Sequence, residues 1–169
     1  MASEANPVGA PALPYEPPMP RDKSIGIGLI GAGGISFAHL DAYRAHGLRV
    51  VAICDRHLDR AQARRDAYYP DALATDRLDD VIGRPEIPVL DLTVHVRDRV
   101  ALMRQALEAG HHVLSQKPFA RDLGVGQELV ALAERKGLQL AVNQNGRWAP
   151  HLSYMREAVH AGLIGAVTG

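Results

Sequence analysis

The sequence is short of several things, and each shortage narrows the field. A single cysteine, Cys54, stands among 169 residues, so no disulfide can form within the chain. Its place inside an apolar run suggests a packing role and a reducing compartment. Formal net charge is zero, 19 basic against 19 acidic residues, with no strong basic run. That balance argues against nucleic acid or an anionic membrane as partner. No apolar run approaches the roughly 20 residues that cross a bilayer. No Cys/His spacing suggests zinc, and no Ser/His/Asp set suggests hydrolysis. His111 and His112 are neighbours, and on a strand they would point to opposite faces, unable to share a metal. Residues 1–20 lack the charged start and apolar core of a secretory leader, so a cytoplasmic protein is expected. There is no internal repeat.

What is present is ordinary globular material, 47% hydrophobic and 22% charged, enough to bury a core. The length suits one domain plus the beginning of another. Six of the eleven prolines fall between Pro7 and Pro20. Such a run builds neither helix nor sheet and predicts an extended or disordered tail over 1–22, either solvated or lying as an arm on a partner subunit. The folded part is expected from Lys23.

From there apolar runs and amphipathic stretches alternate. Strands are expected at Ile25–Ile30, Val50–Cys54, Ala72–Thr75, Pro88–Val94, His112–Ser115 and Leu138–Val142. Helices are expected at Ile35–His46, with Ile35, Ala38 and Ala42 on one face, and at Asp59–Tyr68, where Pro70 ends the run. Further helices follow around Leu78–Ile82, at Arg97–Ala109 with Val100, Met103 and Leu107 together, and at Leu123–Lys136 with Val125, Leu129 and Leu132 inward. A last one is expected at His151–Ala161, with Leu152, Met155 and Val159 in line. This order implies a parallel sheet with helices on both faces. Ligands of such sheets bind beyond the carboxyl ends of the strands, where strand order reverses. The residues just after each strand therefore matter most.

After the first strand comes Gly31-Ala32-Gly33-Gly34-Ile35-Ser36. The spacing Gly31-x-Gly33-x-x-Ser36 is the dinucleotide pattern with serine at its third position, and a short side chain there still permits close helix–strand packing. Main-chain amides over Gly33–Ser36 at a helix start are suited to a diphosphate. Asp55 ends the second strand, twenty-four positions after Gly31. A carboxylate there accepts from both ribose hydroxyls of an adenosine and repels a 2′-phosphate, which points to NAD; the alternative is a cap for the following helix. Arg56, next in line, would pair with that phosphate and keeps NADP open.

Four segments carry a family resemblance: "GIGLIGAGGISFAHL", "VVAICDRH", "ALEAGHHVLSQKPFA" and "VNQNGRWAPH", in that order. They resemble the amino-terminal half of the glucose–fructose oxidoreductase/inositol dehydrogenase/rhizopine-catabolism (Gfo/Idh/MocA) family, from about Ser24 to the end. The resemblance implies a Rossmann-type doubly wound α/β domain over 23–146 that binds NAD(P). Residues 147–169 would then be a junction helix and the first strand of a second, substrate-binding domain that also supplies much of an oligomer interface. The family's Glu-Lys-Pro is similar to Gln116-Lys117-Pro118, which implies that Lys117 reaches both the nicotinamide ribose and the reacting oxygen of a substrate. An ammonium there stabilises negative charge as a hydroxyl loses its proton and its carbon gives up hydride. The prolyl bond, for which cis is accessible, fixes the turn that aims the lysine. Gln116 keeps the hydrogen bonding of the family's glutamate and loses its charge.

Departures from the family's pattern are as informative. Its Thr-Pro and later histidine correspond to Val94-His95-Val96 and Arg99 here. The backbone at Val94 and His95 is expected to line the nicotinamide side, with His95 open between a structural and a ligand role. Arg99 is expected to meet a phosphate or an acidic substrate. Asp91, mid-strand, needs a buried partner. Asn145-Gly146-Arg147-Trp148 resembles the family's Asn-Arg-Arg-Phe turn; Asn145 and Arg147 are expected near cofactor or substrate, and Trp148 as a packing anchor. The proton-transfer base, usually a histidine paired with an aspartate, belongs to the family's second domain. The chain is thus expected to be the nucleotide-binding portion of a dehydrogenase acting on a sugar or polyol, inactive alone, whose whole form is a homo-oligomer. The alternative is a standalone dinucleotide-binding or sensing module.

Overall fold

The computed structural model describes residues 9–168. The start of the proline-rich tail, Pro7 included, and Gly169 lie outside them. Two compact units divide the chain, Pro20–Asn143 and a smaller one formed by the amino-terminal segment with Gln144 onward.

The larger unit is a six-stranded, fully parallel sheet in the order β3-β2-β1-β4-β5-β6. Its strands are β1 (Gly26–Ile30), β2 (Arg49–Cys54), β3 (Leu73–Thr75), β4 (Val89–Leu92), β5 (His112–Gln116) and β6 (Leu140–Asn143). Helices α1 (Ser36–Ala45), α2 (Leu58–Tyr68), α3 (Asp79–Ile82), α4 (Val96–Glu108) and α5 (Leu123–Arg135) alternate with them. The elements expected within this unit are all present, shifted by a residue or two. Strand order reverses at β1, which pairs with β2 on one side and β4 on the other.

The alternation of β1 explains two separate cores. Ile27 and Leu29 point to one face and join Leu40, Val50, Ile53 and Ala61 of α1, β2 and α2. On the other face β1 presents Gly26 and Gly28. A Cβ on Gly28 would come within 2.8 Å of Leu90 and Val81, so the missing side chain is what lets Val81, Ile87, Leu90 and Leu92 close over the strand with Met103 and Leu107. On α1 the expected apolar face is not the buried one. Ile35 and Ala38 are exposed, and Ser36, His39 and Leu40 turn inward. Polar residues face the sheet there because Asp91 of β4 is waiting for them, as described below.

His111, which precedes β5, is buried with its ring nitrogens 2.7 and 2.9 Å from the carbonyl oxygens of Ile87 and Ile82, a structural histidine. Among the described residues no group of histidine, cysteine and carboxylate side chains could hold a metal ion, and no helix is long and apolar enough to cross a membrane. Cys54 is buried at the end of β2. Burial first, and the charges of Asp55, Asp76 and Asp80 after it, push its thiol up to about 11. Since the thiolate is the reactive form, iodoacetamide at pH 8 should label Cys54 only after unfolding; rapid labelling of the native chain would contradict this placement.

In the smaller unit, residues 9–19 run without helix or strand. Tyr15 packs edge-on against Tyr154 of α6 (Pro150–His160), ring centroids 5.7 Å apart. Ser153 donates to the Tyr15 carbonyl at 2.6 Å and the Tyr154 hydroxyl to that of Pro11 at 2.8 Å. Leu152, Met155 and Val159 of α6 are exposed. The strand expected after α6 does not form: Leu163–Thr168 is turn and irregular chain. A strand needs a neighbour to bond with, and none among the described residues pairs with this segment.

Candidate functional site

The carboxyl ends of β1, β2, β4 and β5 converge on one turn. Gly31 leaves β1 with φ of 102°, a left-handed conformation that glycine adopts without strain. A Cβ there would sit 2.7 Å from Val94 Cγ1 and 3.1 Å from the Thr93 carbonyl carbon. The turn is pinned on both sides. Gly31 N donates to Cys54 O at 2.7 Å, and Thr93 Oγ1 donates to the carbonyls of Ile30 and Gly31. Ser36 is fully buried, and its hydroxyl donates to Gly33 O at 2.6 Å. The short third residue therefore does more than leave room; it closes the turn.

Once these bonds are counted, the N–H groups of Gly33, Gly34 and Ile35 find no acceptor among the described residues. They precede α1, whose start has no side-chain cap. A Cβ added to Gly33 or Gly34 would meet nothing within 4 Å. Unsatisfied donors at a helix start facing open space, with glycines keeping that space clear, make a cradle for an anionic group such as a diphosphate. A dinucleotide fits it.

Asp55 is tied to this cradle. Its Oδ2 accepts from Ala32 N at 2.7 Å and its Oδ1 from His57 N at 2.9 Å. It thus serves the start of α2 as well, and each oxygen keeps a second lone pair for a ligand. Arg56 is exposed beside it. Sequence reasoning missed Arg64 of α2, which reaches back to donate to Ser36 Oγ at 3.0 Å and Gly33 O at 3.3 Å. No spacing in the sequence points to it, its partners lying 28 and 31 residues away.

Val94 and His95 lead into α4, Val94 half-buried and His95 exposed at the helix start. Arg99 corrects an expectation. It meets no open site: only 2% exposed, it donates through Nη1 to Val94 O at 2.9 Å and through Nη2 to Pro118 O. Its Nε has no partner among the described residues, and burial lowers the guanidinium's hold on its proton. The arginine is a clamp between the two loops that follow β4 and β5. Lys117 and Pro118 lie on the second, both exposed, joined by a cis peptide bond. Gln116 is buried, and its Oε1 accepts from Lys117 N at 3.0 Å.

Asp91 finds partners on one oxygen only, its buried Oδ1 having none among the described residues. Its Oδ2 accepts from Tyr43 OH at 2.8 Å and lies 2.7 Å from His39 Nδ1. Asn145 and Arg147 fall in the smaller unit, on a 3-10 turn (Asn145–Trp148). Arg147 lies over the Trp148 ring at 5.6 Å and Arg156 at 5.2 Å, so the indole is a cation platform within that unit rather than a buried anchor.

Comparison with known proteins supports the fold and gives the family. The model of a family described as an oxidoreductase family with an NAD-binding Rossmann fold matches residues 25–144. The D-apiose dehydrogenase of Paraburkholderia graminis is 33% identical over 138 residues, which are 81% of this chain and 36% of that protein. The inositol 2-dehydrogenase of Gluconacetobacter diazotrophicus is 26% identical, over 85% of this chain and 44% of its own. Among solved structures, a 3-ketoreductase from Actinomadura kijaniata in complex with NADP and TDP-benzene superposes with a TM-score of 0.74 at 26% identity, over 82% of this chain and 43% of that one. The chain spans less than half the length of each of these relatives.

Proposed function

Given that this chain belongs to the Gfo/Idh/MocA oxidoreductase family, we propose that it is the dinucleotide-binding portion of a dehydrogenase acting on a sugar- or polyol-type hydroxyl. What supports this most is the turn at Gly31–Ser36: three free N–H groups over open space, with Asp55 bonded to the same turn through Ala32. Gly33, Gly34, Ile35 and Ser36 would hold the diphosphate, and Asp55 the adenosine ribose. Val94, His95 and the Gln116–Pro118 loop would border the nicotinamide end. A bound nicotinamide dinucleotide supplies the hydride acceptor. Lys117, exposed and cationic at the end of β5, would stabilise negative charge on the substrate oxygen as its proton leaves. Walls for the substrate, the proton-transfer base and a homo-oligomeric interface would come from sequence that the relatives have beyond this region; Asn145 and Arg147 would border the active site in that whole protein.

The carboxylate of Asp55 favours NAD, since a 2′-phosphate beside it is repelled. Arg56 and Arg64 temper that preference. Calorimetric titration of the chain with NAD and NADP should give binding to both and tighter binding to NAD. Asp55→Asn removes the charge and leaves one acceptor for the two main-chain N–H groups, Ala32 and His57, that the carboxylate bonds; it should weaken NAD about tenfold or more, the scale of a charged hydrogen bond, and close the gap to NADP. No heat with either dinucleotide would remove the binding reading. An unaltered preference in Asp55→Asn would remove Asp55 from the ribose.

A further inference from the structure

A line of buried and half-buried amides and rings runs behind the carboxyl ends of the strands. It joins α1, β4, β5 and β6 through Asp91, His39, Gln116 and Asn143. Donor and acceptor roles along it can be fixed one after another from its exposed end. The main-chain N–H of Lys117 can only donate, so the Gln116 atom 3.0 Å from it is the carbonyl oxygen Oε1. The other end of that amide is then its NH2, which lies 2.8 Å from His39 Nε2. Asn143 presents its own Nδ2 to the same ring nitrogen at 2.9 Å. A nitrogen facing two amide donors must accept, so it carries no proton. The ring proton is therefore on Nδ1 and points to Asp91 Oδ2 at 2.7 Å. Tyr43 agrees with this direction: burial, and the charge of Asp91 after it, raise its hydroxyl far above the usual tyrosine range, leaving it a donor to the same oxygen.

We propose that Gln116 fixes His39 as the neutral Nδ1–H tautomer and that His39, through Gln116, is a positioning residue for the main chain of Lys117. The amide is suited to this because it offers a donor to the imidazole and an acceptor to Lys117 at once. A carboxylate at 116 would accept from both, which calls for a proton on Nε2 as well, turns the oxygen of the Asn143 amide to the ring in place of its NH2, and makes the ring an imidazolium between two carboxylates. A glutamate at 116 would thus change the charge of this buried histidine, rather than the immediate surroundings of the lysine ammonium. The importance of holding Lys117 rests on the function proposed above; the tautomer does not.

Long-range 1H–15N correlation spectra of the 15N-labelled chain at pH 7.5 read the ring directly. A bare Nε2 and a protonated Nδ1 at His39 are expected; an Nε2–H tautomer or a doubly protonated ring would overturn the proposal. In Gln116→Glu both nitrogens should become protonated, with the Lys117 amide still protected from hydrogen exchange. An unchanged ring in that variant would show that residue 116 does not set the tautomer. Gln116→Met should speed exchange at the Lys117 amide about tenfold, the scale of one lost hydrogen bond, while Leu29 and Ile53 amides keep their protection. Equal protection at Lys117 would refute the positioning role, and if that variant does not fold, the native and Gln116→Glu spectra decide. A chain that shows the expected tautomer and yet binds neither dinucleotide would sink the proposed function and leave the tautomer assignment standing.

Discussion

Gly31→Ala should cost the larger unit about 2–5 kcal/mol and eliminate measurable dinucleotide binding. Two penalties add. A left-handed conformation costs a side-chain-bearing residue about 1–2 kcal/mol, and the turn holds φ at 102° through Gly31 N to Cys54 O and Thr93 Oγ1 to Gly31 O. The new methyl also meets Val94 Cγ1 and the main chain at Thr93, and overpacking of this kind costs about 1–3 kcal/mol. Val94 could swing away, but the Thr93 carbonyl carbon is part of the ladder that ends β4 and cannot. Gly34→Ala supplies the contrast. Its Cβ meets nothing within 4 Å and its φ is not left-handed, so the fold should be unaffected while the methyl occupies the space over the free amides and weakens dinucleotide binding. Chemical denaturation and calorimetry on the two variants separate the roles. Equal stability of Gly31→Ala and native chain would mean that the turn is not held as described, and undiminished affinity in Gly34→Ala would place the ligand elsewhere.

Arg99→Ala carries the second large effect, on the order of 3–5 kcal/mol. The substitution strands two carbonyl oxygens, those of Val94 and Pro118, each bonded to a charged donor, and opens a cavity beneath the start of α4. Arg99→Met should lose less, about 1–3 kcal/mol. It refills most of the volume and removes a buried charge whose Nε has no partner among the described residues, but it leaves the same two carbonyls unpaired. If the clamp matters for the site as well as for stability, Arg99→Met should weaken dinucleotide binding beyond what its fraction of unfolded chain explains. A methionine variant as stable as the native protein, with equal affinity, would show the two loops to be held by other contacts.

These two residues also mark where the sequence could and could not be read. The strand-end placement of Gly31, Asp55 and Lys117 was legible from periodicity to within a residue or two, and in a parallel sheet the strand ends are where ligands bind; the role expected of Lys117 came from the resemblance of Gln116-Lys117-Pro118 to the family's Glu-Lys-Pro, not from spacing. The polar supports were not legible. Arg99 pairs with a carbonyl nineteen residues away and Arg64 with one thirty-one away, contacts that no local pattern encodes. The same holds for α1. Its apolar spacing at Ile35, Ala38 and Ala42 suggested one inward face, whereas His39 and Tyr43 took that place because Asp91 lies across from them on β4. Asp91 alone signalled the need for a partner; which residue would answer it was beyond the reach of spacing. The strand expected near the carboxyl end failed for a related reason, since residue type can favour an extended chain but cannot provide its neighbour.

The strand order has a temporal side. In the finished sheet β1 is central, Ile27 paired with Val50 on one edge and with Val89 on the other. A ribosome makes β1, β2 and β3 well before β4, so during synthesis the strand destined for the middle spends its time on the rim, its second row of amides and carbonyls open. Such a rim invites pairing with another nascent chain. A pause that leaves β1 to β3 outside the ribosome with β4 still in the exit tunnel should therefore raise the fraction of product lost to aggregates, while an equal pause once the fourth strand has emerged and can dock should not.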